Sequence, residues 1–247
     1  MDQPHPAETV TLPQRGWQIT PSHTLAAGAL CWLGFSLMAW AVHNGMTDSF
    51  DRAGLLLWRT GADLRFGGAP WLAEAVRDIT ALGGTVLRIV FSIAALTALL
   101  LLGMKREAVL MLATLLSGAL VEVALKALVG RPRPKIVPHL TEAAGMSFPS
   151  GHSFNSALGF IAIALAFATL SNRRAVRWTI IGSAIAASMF VALSRVWLGV
   201  HYPSDAIAGW LGGAGWAFLA AALLYKPAKI VADRAGATPG PDLQALP

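Results

Sequence analysis

Long apolar runs, separated by short polar connections, make up most of the chain. Six of them approach the roughly 18 to 20 residues that a helix needs to cross the hydrocarbon core of a bilayer. They lie at residues 24–42, 85–103, 108–128, 154–170, 178–196 and 205–225. The pattern predicts an all-α protein: a polytopic membrane helix bundle with six transmembrane helices.

The connection between the first two runs, residues 44–84, is longer than a bare loop needs. Its stretch PWLAEAVRDITALGG starts with Pro70, a favoured first helical residue, and ends in Gly83 and Gly84, which favour a helix stop. A short extracytoplasmic helical segment is therefore predicted. Two placements stay open: a helix in the headgroup layer, which would suit Trp58 and Trp71, or a solvated segment packed on the bundle.

One membrane domain with two flanking pieces is the predicted organisation. Residues 1–23 form a cytoplasmic leader, and residues 24–225 form the six-span domain. Residues 226–247, rich in Pro, Gly and Ala, are expected to be a disordered cytoplasmic tail.

Composition supports a membrane protein and excludes two other classes. Hydrophobic residues make up 55% of the 247 positions and charged residues 13%, against about 25% charged in soluble domains. The net charge of +6 raises the question of nucleic acid. The basic residues flank the spans instead of covering a soluble face, so no nucleic-acid partner is expected. A single cysteine, Cys31, excludes a disulfide framework within the chain.

Charge in the short connections predicts the orientation. The connections after the second and fourth runs, together with the start of the tail, carry Lys105, Arg106, Arg173, Arg174, Arg177, Lys226 and Lys229. By the positive-inside rule, these connections and both termini are cytoplasmic. The opposite face is also basic, but acids are interleaved there. A multi-pass protein of a bacterial-type cytoplasmic membrane is predicted, with its active face outside.

Cations collect in the segment KALVGRPRP, residues 126–134. Lys126 lies near a predicted helix end, and Arg131 and Arg133 each precede a proline, which stops the helix and keeps the chain extended. Guanidinium groups bind phosphate oxygens bidentately, so the cluster suits a phosphoryl group; anchoring to anionic headgroups is the alternative. Glu122, one turn earlier, is expected to form a structural ion pair with Lys126.

A turn in the segment SFPSGHS, residues 147–153, immediately precedes an apolar run. The backbone N–H groups of Ser150 and Gly151 should lie at a helix N-terminus, which binds anions. Ser150 adds a hydroxyl, and Gly151 allows a ligand to approach the backbone. His152 is placed to give a proton to a leaving oxygen, or it is simply a satisfied polar residue.

The segment SRVWLGVHYPSD, residues 194–205, joins the last two runs. Arg195 lies near the outer end of a helix, and His201 and Asp205 are four positions apart. A carboxylate that accepts the N–H of one imidazole nitrogen leaves the other nitrogen as a nucleophile. Asp205 can also cap the last helix, and the two roles are compatible.

Together the segments read K-x6-R-P at 126–134, P-S-G-H at 149–152 and S-R-x5-H-x3-D at 194–205. This pattern resembles the tripartite signature of the type 2 phosphatidic acid phosphatase superfamily, the membrane lipid phosphate phosphatases. The resemblance implies hydrolysis of the terminal phosphate of a lipid phosphate or diphosphate through a phosphohistidine. It also implies that fixed cations replace metal ions, so no metal and no cofactor are expected.

Roles for individual residues follow from the same resemblance. His201 would attack phosphorus, Asp205 would orient it, and His152 would protonate the leaving group and later activate water. The phosphate would be bound by Lys126, Arg133, Ser150, Gly151, Ser194 and Arg195. Glu122 and Arg131, which the signature does not specify, are kept as supporting candidates.

Two other functions fit the pattern less well, and two more are compatible with it. A transporter of a phosphorylated lipid or anion would concentrate its charges near the bilayer midplane. A metal hydrolase would not surround its histidines with cations. A lipid A phosphatase or a phosphotransferase remains an alternative. Undecaprenyl diphosphate, or a broad range of lipid phosphates, is the favoured substrate, with phosphatidylglycerophosphate next; phosphatidic acid is a further candidate.

Overall fold

Each predicted apolar run lies on one α-helix of the computed structural model, which describes residues 20–171 and 173–236, with side chains as far as residue 222. The helical class predicted from the sequence is therefore confirmed. The helices are α1 (Pro21–His43), α2 (Asp48–Leu56), α3 (Pro70–Ala81), α4 (Thr85–Leu101), α5 (Lys105–Val129), α6 (Gly151–Ala168), α7 (Arg174–Trp197) and α8 (Pro203–Gly236).

Four helices, α1, α5, α6 and α7, are long and apolar enough to cross a membrane. A fifth crossing would be made by α3 and α4 together, which are bent by 49° at their junction. Helix α4 alone has 17 residues, which is short for a bilayer. Four to five spans within the described residues make this a multi-pass membrane protein. The sixth predicted span lies on α8, whose side chains are described only in part.

Helix α6 is the centre of the bundle. It packs against α5, α7 and α8, and α8 also packs against α1. Phe154 and Ile161 of α6 form a buried core with Ile181 of α7 and Ala214 of α8. At Gly213, the backbone of α8 lies directly against the backbone of Phe154. Small residues permit such close helix contacts inside membranes.

The outward faces of the long helices are apolar. Leu30 and Leu37 of α1 and Leu116 and Leu120 of α5 are all exposed. Apolar side chains on a helix surface would be unfavourable in water, whereas lipid tails are as apolar as leucine. The exposed surface is therefore one that suits a bilayer.

The segment between α1 and α4 contains α2, a two-stranded hairpin and α3. Strand β1 (Arg59–Thr60) pairs antiparallel with β2 (Arg65–Phe66). The all-α prediction missed this hairpin, because two-residue strands leave no periodic pattern to detect. Helix α3 begins at Pro70, as predicted, and packs against α7, while α2 packs against α7 and α8.

Both chain ends differ from the predicted boundaries. Helix α1 begins at Pro21 instead of residue 24, and residues 1–19 of the predicted leader lie outside the described residues. Helix α8 continues to Gly236, so the backbone of 226–236 is helical where a disordered tail was expected. Alanine, lysine and arginine, which favour helices, outnumber glycine and proline in this stretch. Residues 237–247 lie outside the described residues.

Candidate active site

The three signature segments meet at one end of the bundle, where α5 and α7 end and α6 and α8 begin. Hydrogen bonds join them directly. The backbone N–H of Ser150 donates to the carbonyl oxygen of Asp205 at 3.0 Å. Arg133 Nη1 donates to the carbonyl oxygen of Val200 at 2.9 Å. Residues far apart in the sequence therefore form one site.

His201 lies between α7 and α8 and is 1% exposed. Nη1 of Arg133 lies 3.0 Å from its Nε2 atom. A guanidinium group has donors and no acceptor, so Nε2 must be the accepting nitrogen and Nδ1 carries the proton. The geometry thus assigns one tautomer, with the Nε2 lone pair directed towards Arg133.

On the other side of the ring, a serine bridges His201 and Asp205. The Nδ1 to Oδ2 distance is 3.6 Å, which is too long for a hydrogen bond. Ser147 Oγ lies 3.3 Å from Nδ1 and donates its proton to Oδ2 of Asp205. The direct histidine–carboxylate hydrogen bond expected from the sequence is replaced by this bridge. Sequence reasoning had given Ser147 no role.

Asp205 makes further contacts with both carboxylate oxygens. The backbone N–H of Tyr202 donates to Oδ2 at 3.0 Å, the reach-back bond typical of a capping box. Arg131 Nη1 donates to Oδ1 at 2.6 Å. Asp205 therefore caps α8 and faces the histidine at the same time, so the two roles left open by the sequence coexist.

The protonation states of His201 and Arg133 follow from their burial and from the charges around them. Burial lowers the pKa of the His201 imidazole to about 4, although Asp205 opposes the change. The ring is therefore neutral near pH 7, as a nucleophile must be. Burial likewise lowers the pKa of Arg133, again opposed by Asp205. Its guanidinium stays charged because arginine starts from such a high pKa.

The first turn of α6 offers backbone donors. Ser150 is the N-cap of α6. Its Oγ accepts hydrogen bonds from the hydroxyl of Ser153 at 2.8 Å and from the backbone N–H of Ser153 at 3.4 Å. The N–H of Ser150 itself is taken by Asp205. Within the described part of the chain, the N–H groups of Gly151 and His152 have no partner, so these two are the donors left for an anion.

Lys126 is held beside this turn from α5. Its Nζ lies 2.8 Å from Oε1 of the buried Glu122, so the predicted ion pair is present. A Cβ atom at Gly151 would lie 2.7 Å from that Oε1 and 2.9 Å from Nζ. A side chain there would have to displace the Glu122 carboxylate and the Lys126 ammonium, so a glycine is what lets the ammonium approach the start of α6.

Arg195 and Ser194 lie in the last turn of α7. Arg195 is 4% exposed, and its Nη1 donates to the hydroxyl of Thr80 in α3 at 2.9 Å. Its Nε is buried with no partner among the described residues, which leaves a donor for a ligand. The hydroxyl of Ser194 donates to the carbonyl oxygen of Val191 at 2.6 Å, so its proton is already used within the helix.

His152 is half-buried in the first turn of α6. The cationic side chains whose charge acts on it are those of Arg195, Arg88 and Lys126. Arg88, in the first turn of α4, was not among the predicted site residues. The signal was present, because an ionisable residue inside a predicted span is a candidate functional residue.

This arrangement suits transfer of a phosphoryl group to histidine. A neutral imidazole, whose lone pair faces Arg133, shares this end of the bundle with a second guanidinium, an ammonium and two unpaired amides, all of which bind phosphate oxygens. Where the structure describes side chains, no three His, Cys, Asp or Glu residues gather as a set of metal ligands. The guanidinium groups, the ammonium and the unpaired amides are donors that suit an anion.

Comparisons with known proteins point the same way. Residues 107–229, which include all three segments, match the model of the PAP2 superfamily. Phosphatidylglycerophosphatase B of Bacillus subtilis strain 168 is 29% identical over 181 residues, covering 72% of this chain and 84% of that protein. Lipid A 1-phosphatase of Rhizobium etli is 37% identical over 110 residues, covering 41% of this chain and 43% of that protein.

A solved structure is also similar. The transmembrane PAP2 type phosphatidylglycerolphosphate phosphatase from Bacillus subtilis superposes with a TM-score of 0.70 at 25% sequence identity. The match covers 83% of this chain and 96% of that one. The similarity thus includes the helices outside the signature segments.

Proposed function

We propose, from the premise that this chain belongs to the PAP2 superfamily, that His201 is the phosphate acceptor of a membrane lipid phosphatase. The observation that carries the proposal is the tautomer of His201. Its Nε2 lone pair faces the cation Arg133, and its Nδ1–H faces Ser147 and Asp205. A histidine poised in this way can bond to phosphorus while its other nitrogen stays protonated.

In the first step, Nε2 of His201 attacks phosphorus while the bond from phosphorus to the leaving oxygen breaks. The negative charge of the bound phosphate favours the protonated form of His152, which gives its proton to that oxygen. The Arg133 N–H that contacts Nε2 turns to a phosphate oxygen. The rest of the guanidinium is held by the carbonyl oxygens of Ala144 and Gly145, at 2.7 and 3.1 Å.

In the second step, water attacks the phosphohistidine. A water proton passes to His152, the oxygen bonds to phosphorus, and the bond from phosphorus to Nε2 breaks. The lone pair returns to Nε2 of His201, and inorganic phosphate leaves. His152 is then protonated as at the start, so the two steps close a cycle.

Charge on the phosphoryl oxygens is balanced by fixed groups of the protein. These are Lys126, Arg133, Arg195 and the amides of Gly151 and His152, which are held in place before the substrate arrives. Preorganised donors of this kind stabilise the transition state of phosphoryl transfer. In this proposal they take the part that metal ions have in other phosphatases, so the reaction is metal-independent.

Activity is expected to survive EDTA and to fall with orthovanadate, because vanadate takes the five-coordinate shape of the phosphoryl group in transfer. Phosphate release by purified protein in detergent, with each reagent in turn, measures both effects. Loss of activity in EDTA that magnesium or zinc restores would show that the fixed cations do not suffice.

The substrate is the terminal phosphate of a membrane lipid. A relative that aligns over 84% of its own length is a phosphatidylglycerophosphatase, so we place phosphatidylglycerophosphate ahead of undecaprenyl diphosphate, which was favoured in the sequence analysis. Release of phosphate from these two lipids and from phosphatidic acid, by one purified preparation, tests the proposal. If none of these lipids releases phosphate, the proposal of a hydrolase is wrong. Transfer of the phosphoryl group to an added alcohol would then identify a phosphotransferase.

The site is proposed to face outward, with both termini in the cytoplasm, because the basic connections lie at the other end of the spans. With Cys31→Ser as background, a Glu142→Cys variant should react with an impermeant thiol reagent in intact spheroplasts, while Ala175→Cys should not. Both positions are exposed. Labelling at residue 175 and not at 142 would reverse the orientation.

A further inference from the structure

Asp51 is a buried carboxylate outside the three signature segments. It lies in α2 and is 1% exposed. Three donors reach it: the backbone N–H of Ser204 at 2.9 Å, the hydroxyl of Ser204 at 2.7 Å and Nη2 of Arg131 at 2.8 Å. Ser204 is in the first turn of α8, where unpaired N–H groups favour a carboxylate. Asp51 thus joins α2 to the helix that carries Asp205.

Arg131 connects the two carboxylates. Its Nη1 donates to Oδ1 of Asp205 at 2.6 Å and to Oγ of Ser204 at 2.8 Å, while Nη2 binds Asp51. The guanidinium carbon lies 4.1 Å from the centre of the Tyr202 ring. A planar group with donors on two sides can hold both carboxylates at once, which a lysine ammonium cannot do with the same geometry.

Arg131 stays protonated in this cluster. Burial works against it, but Asp205 and Asp51 outweigh burial and hold the pKa of this guanidinium above its ordinary value. The carboxylates of Asp51 and Asp205 are nearly inaccessible to water, and the Arg131 side chain is 14% exposed. A cation fixed between two buried carboxylates has little freedom to move.

Asp205 is consequently held at both oxygens. Oδ1 receives Arg131, and Oδ2 receives Ser147 and the N–H of Tyr202. While Oδ1 is fixed, the carboxylate cannot rotate, so Oδ2 stays beside His201 through the Ser147 bridge. Freeing Oδ1 would let the carboxylate turn and would loosen the bridge.

Asp51 also sets the charge next to the nucleophile. Asp51, Arg131 and Asp205 form a cluster of two carboxylates and one guanidinium, so one negative charge remains. Attack by Nε2 turns the His201 ring into a cation, which this charge stabilises. Without Asp51, Arg131 would neutralise Asp205 completely, and buried charges feel such a change strongly because the surroundings screen them poorly.

We propose that Asp51 is a positioning residue of the phosphatase reaction, acting through Arg131 and Ser204 on Asp205 and so on His201. The inference rests on the proposed function. If it is right, α2 contributes to the rate of the reaction. If Asp51 only held α2 against the bundle, its loss would lower the stability of the protein and leave the rate unchanged.

The test compares Asp51→Asn with Asp48→Asn, an exposed carboxylate in the first turn of the same helix. The rate of phosphoenzyme formation at saturating lipid should fall on the order of 10²-fold in Asp51→Asn, as for a small misplacement of a reacting group. KM should change little, since Asp51 does not touch the phosphate, and Asp48→Asn should match the parent.

Coupling to Arg131 is the second readout. If Asp51 acts through Arg131, the Asp51→Asn/Arg131→Gln double variant should be no slower than Arg131→Gln alone, whereas independent effects would multiply. Arg131→Lys keeps the charge without the double contact and should be slowed as well. If Asp51→Asn does not fold, Asp51→Glu, which keeps the charge but alters its position, takes its place in both comparisons.

Two results would overturn the inference with the parent enzyme active: an unchanged rate with a lowered Tm, or losses that multiply in the double variant. A parent that releases no phosphate from any lipid would instead overturn the proposed function. The two failures are therefore distinguishable.

Discussion

Replacing His201 by alanine should abolish the phosphoenzyme with every substrate and lower lipid phosphate hydrolysis by about 10⁴ to 10⁶-fold, as expected when a nucleophile is removed. The reason is that Nε2 is the atom that bonds to phosphorus. Acid-labile, base-stable labelling of the protein from a radioactive lipid phosphate measures the intermediate, and phosphate release measures turnover.

His139→Ala is the matched control for this experiment. His139 is exposed and contacts the carbonyl oxygen of Pro134 at 2.8 Å, so it lies on the same side of the bundle without entering the site. It should retain both labelling and turnover. A His201→Ala enzyme that still forms the phosphoenzyme would require another acceptor.

Replacing His152 by alanine should slow the enzyme by an amount that depends on the leaving group. General acid catalysis contributes about 10² to 10⁴-fold where the leaving oxygen needs a proton. An alkoxide leaving from phosphatidic acid needs it most, the phosphate leaving from a prenyl diphosphate less, and p-nitrophenolate least. The losses should follow that order, measured as the rate of phosphoenzyme formation with each compound that the parent accepts.

The first step must be measured separately, because His152 also serves the later attack of water and would hide the trend at steady state. His201→Ala provides the contrast, since it should fail with all three leaving groups alike. Equal losses for His152→Ala across the series would remove this histidine from the acid role and leave it as a phosphate-binding residue.

The main residues of the site could be predicted because their residue types and their neighbours in the sequence indicate their chemistry. Arg133, His152 and His201 are residue types that bind phosphate or move protons, and each lies beside a helix end that proline or glycine marks. Helices of similar length that alternate in direction bring every second connection to one side. Clustering of the three segments could therefore be expected from the spacing of apolar runs.

Ser147 and Asp51 could not be assigned in the same way. Ser147 matters because it lies between His201 and Asp205, a relation between two helices and a turn that no local pattern encodes. Asp51 looked like one of several acids in an outer connection until α2 packed against α8. The sequence also predicted donation to phosphate by the Ser150 amide, which in the folded chain is paired with Asp205.

The distance between the first turn of α6 and His201 depends on how closely the backbones of α6 and α8 approach each other. A methyl group at Gly213 would lie 2.0 Å from the carbonyl oxygen of Phe154, and one at Gly209 would lie 2.5 Å from that of Ser150. Gly213→Ala would leave every acid, base and cation in the sequence, yet it would push the amides of α6 away from the histidine beside α8. The enzyme can thus be silenced by misalignment alone, with all of its chemistry still present.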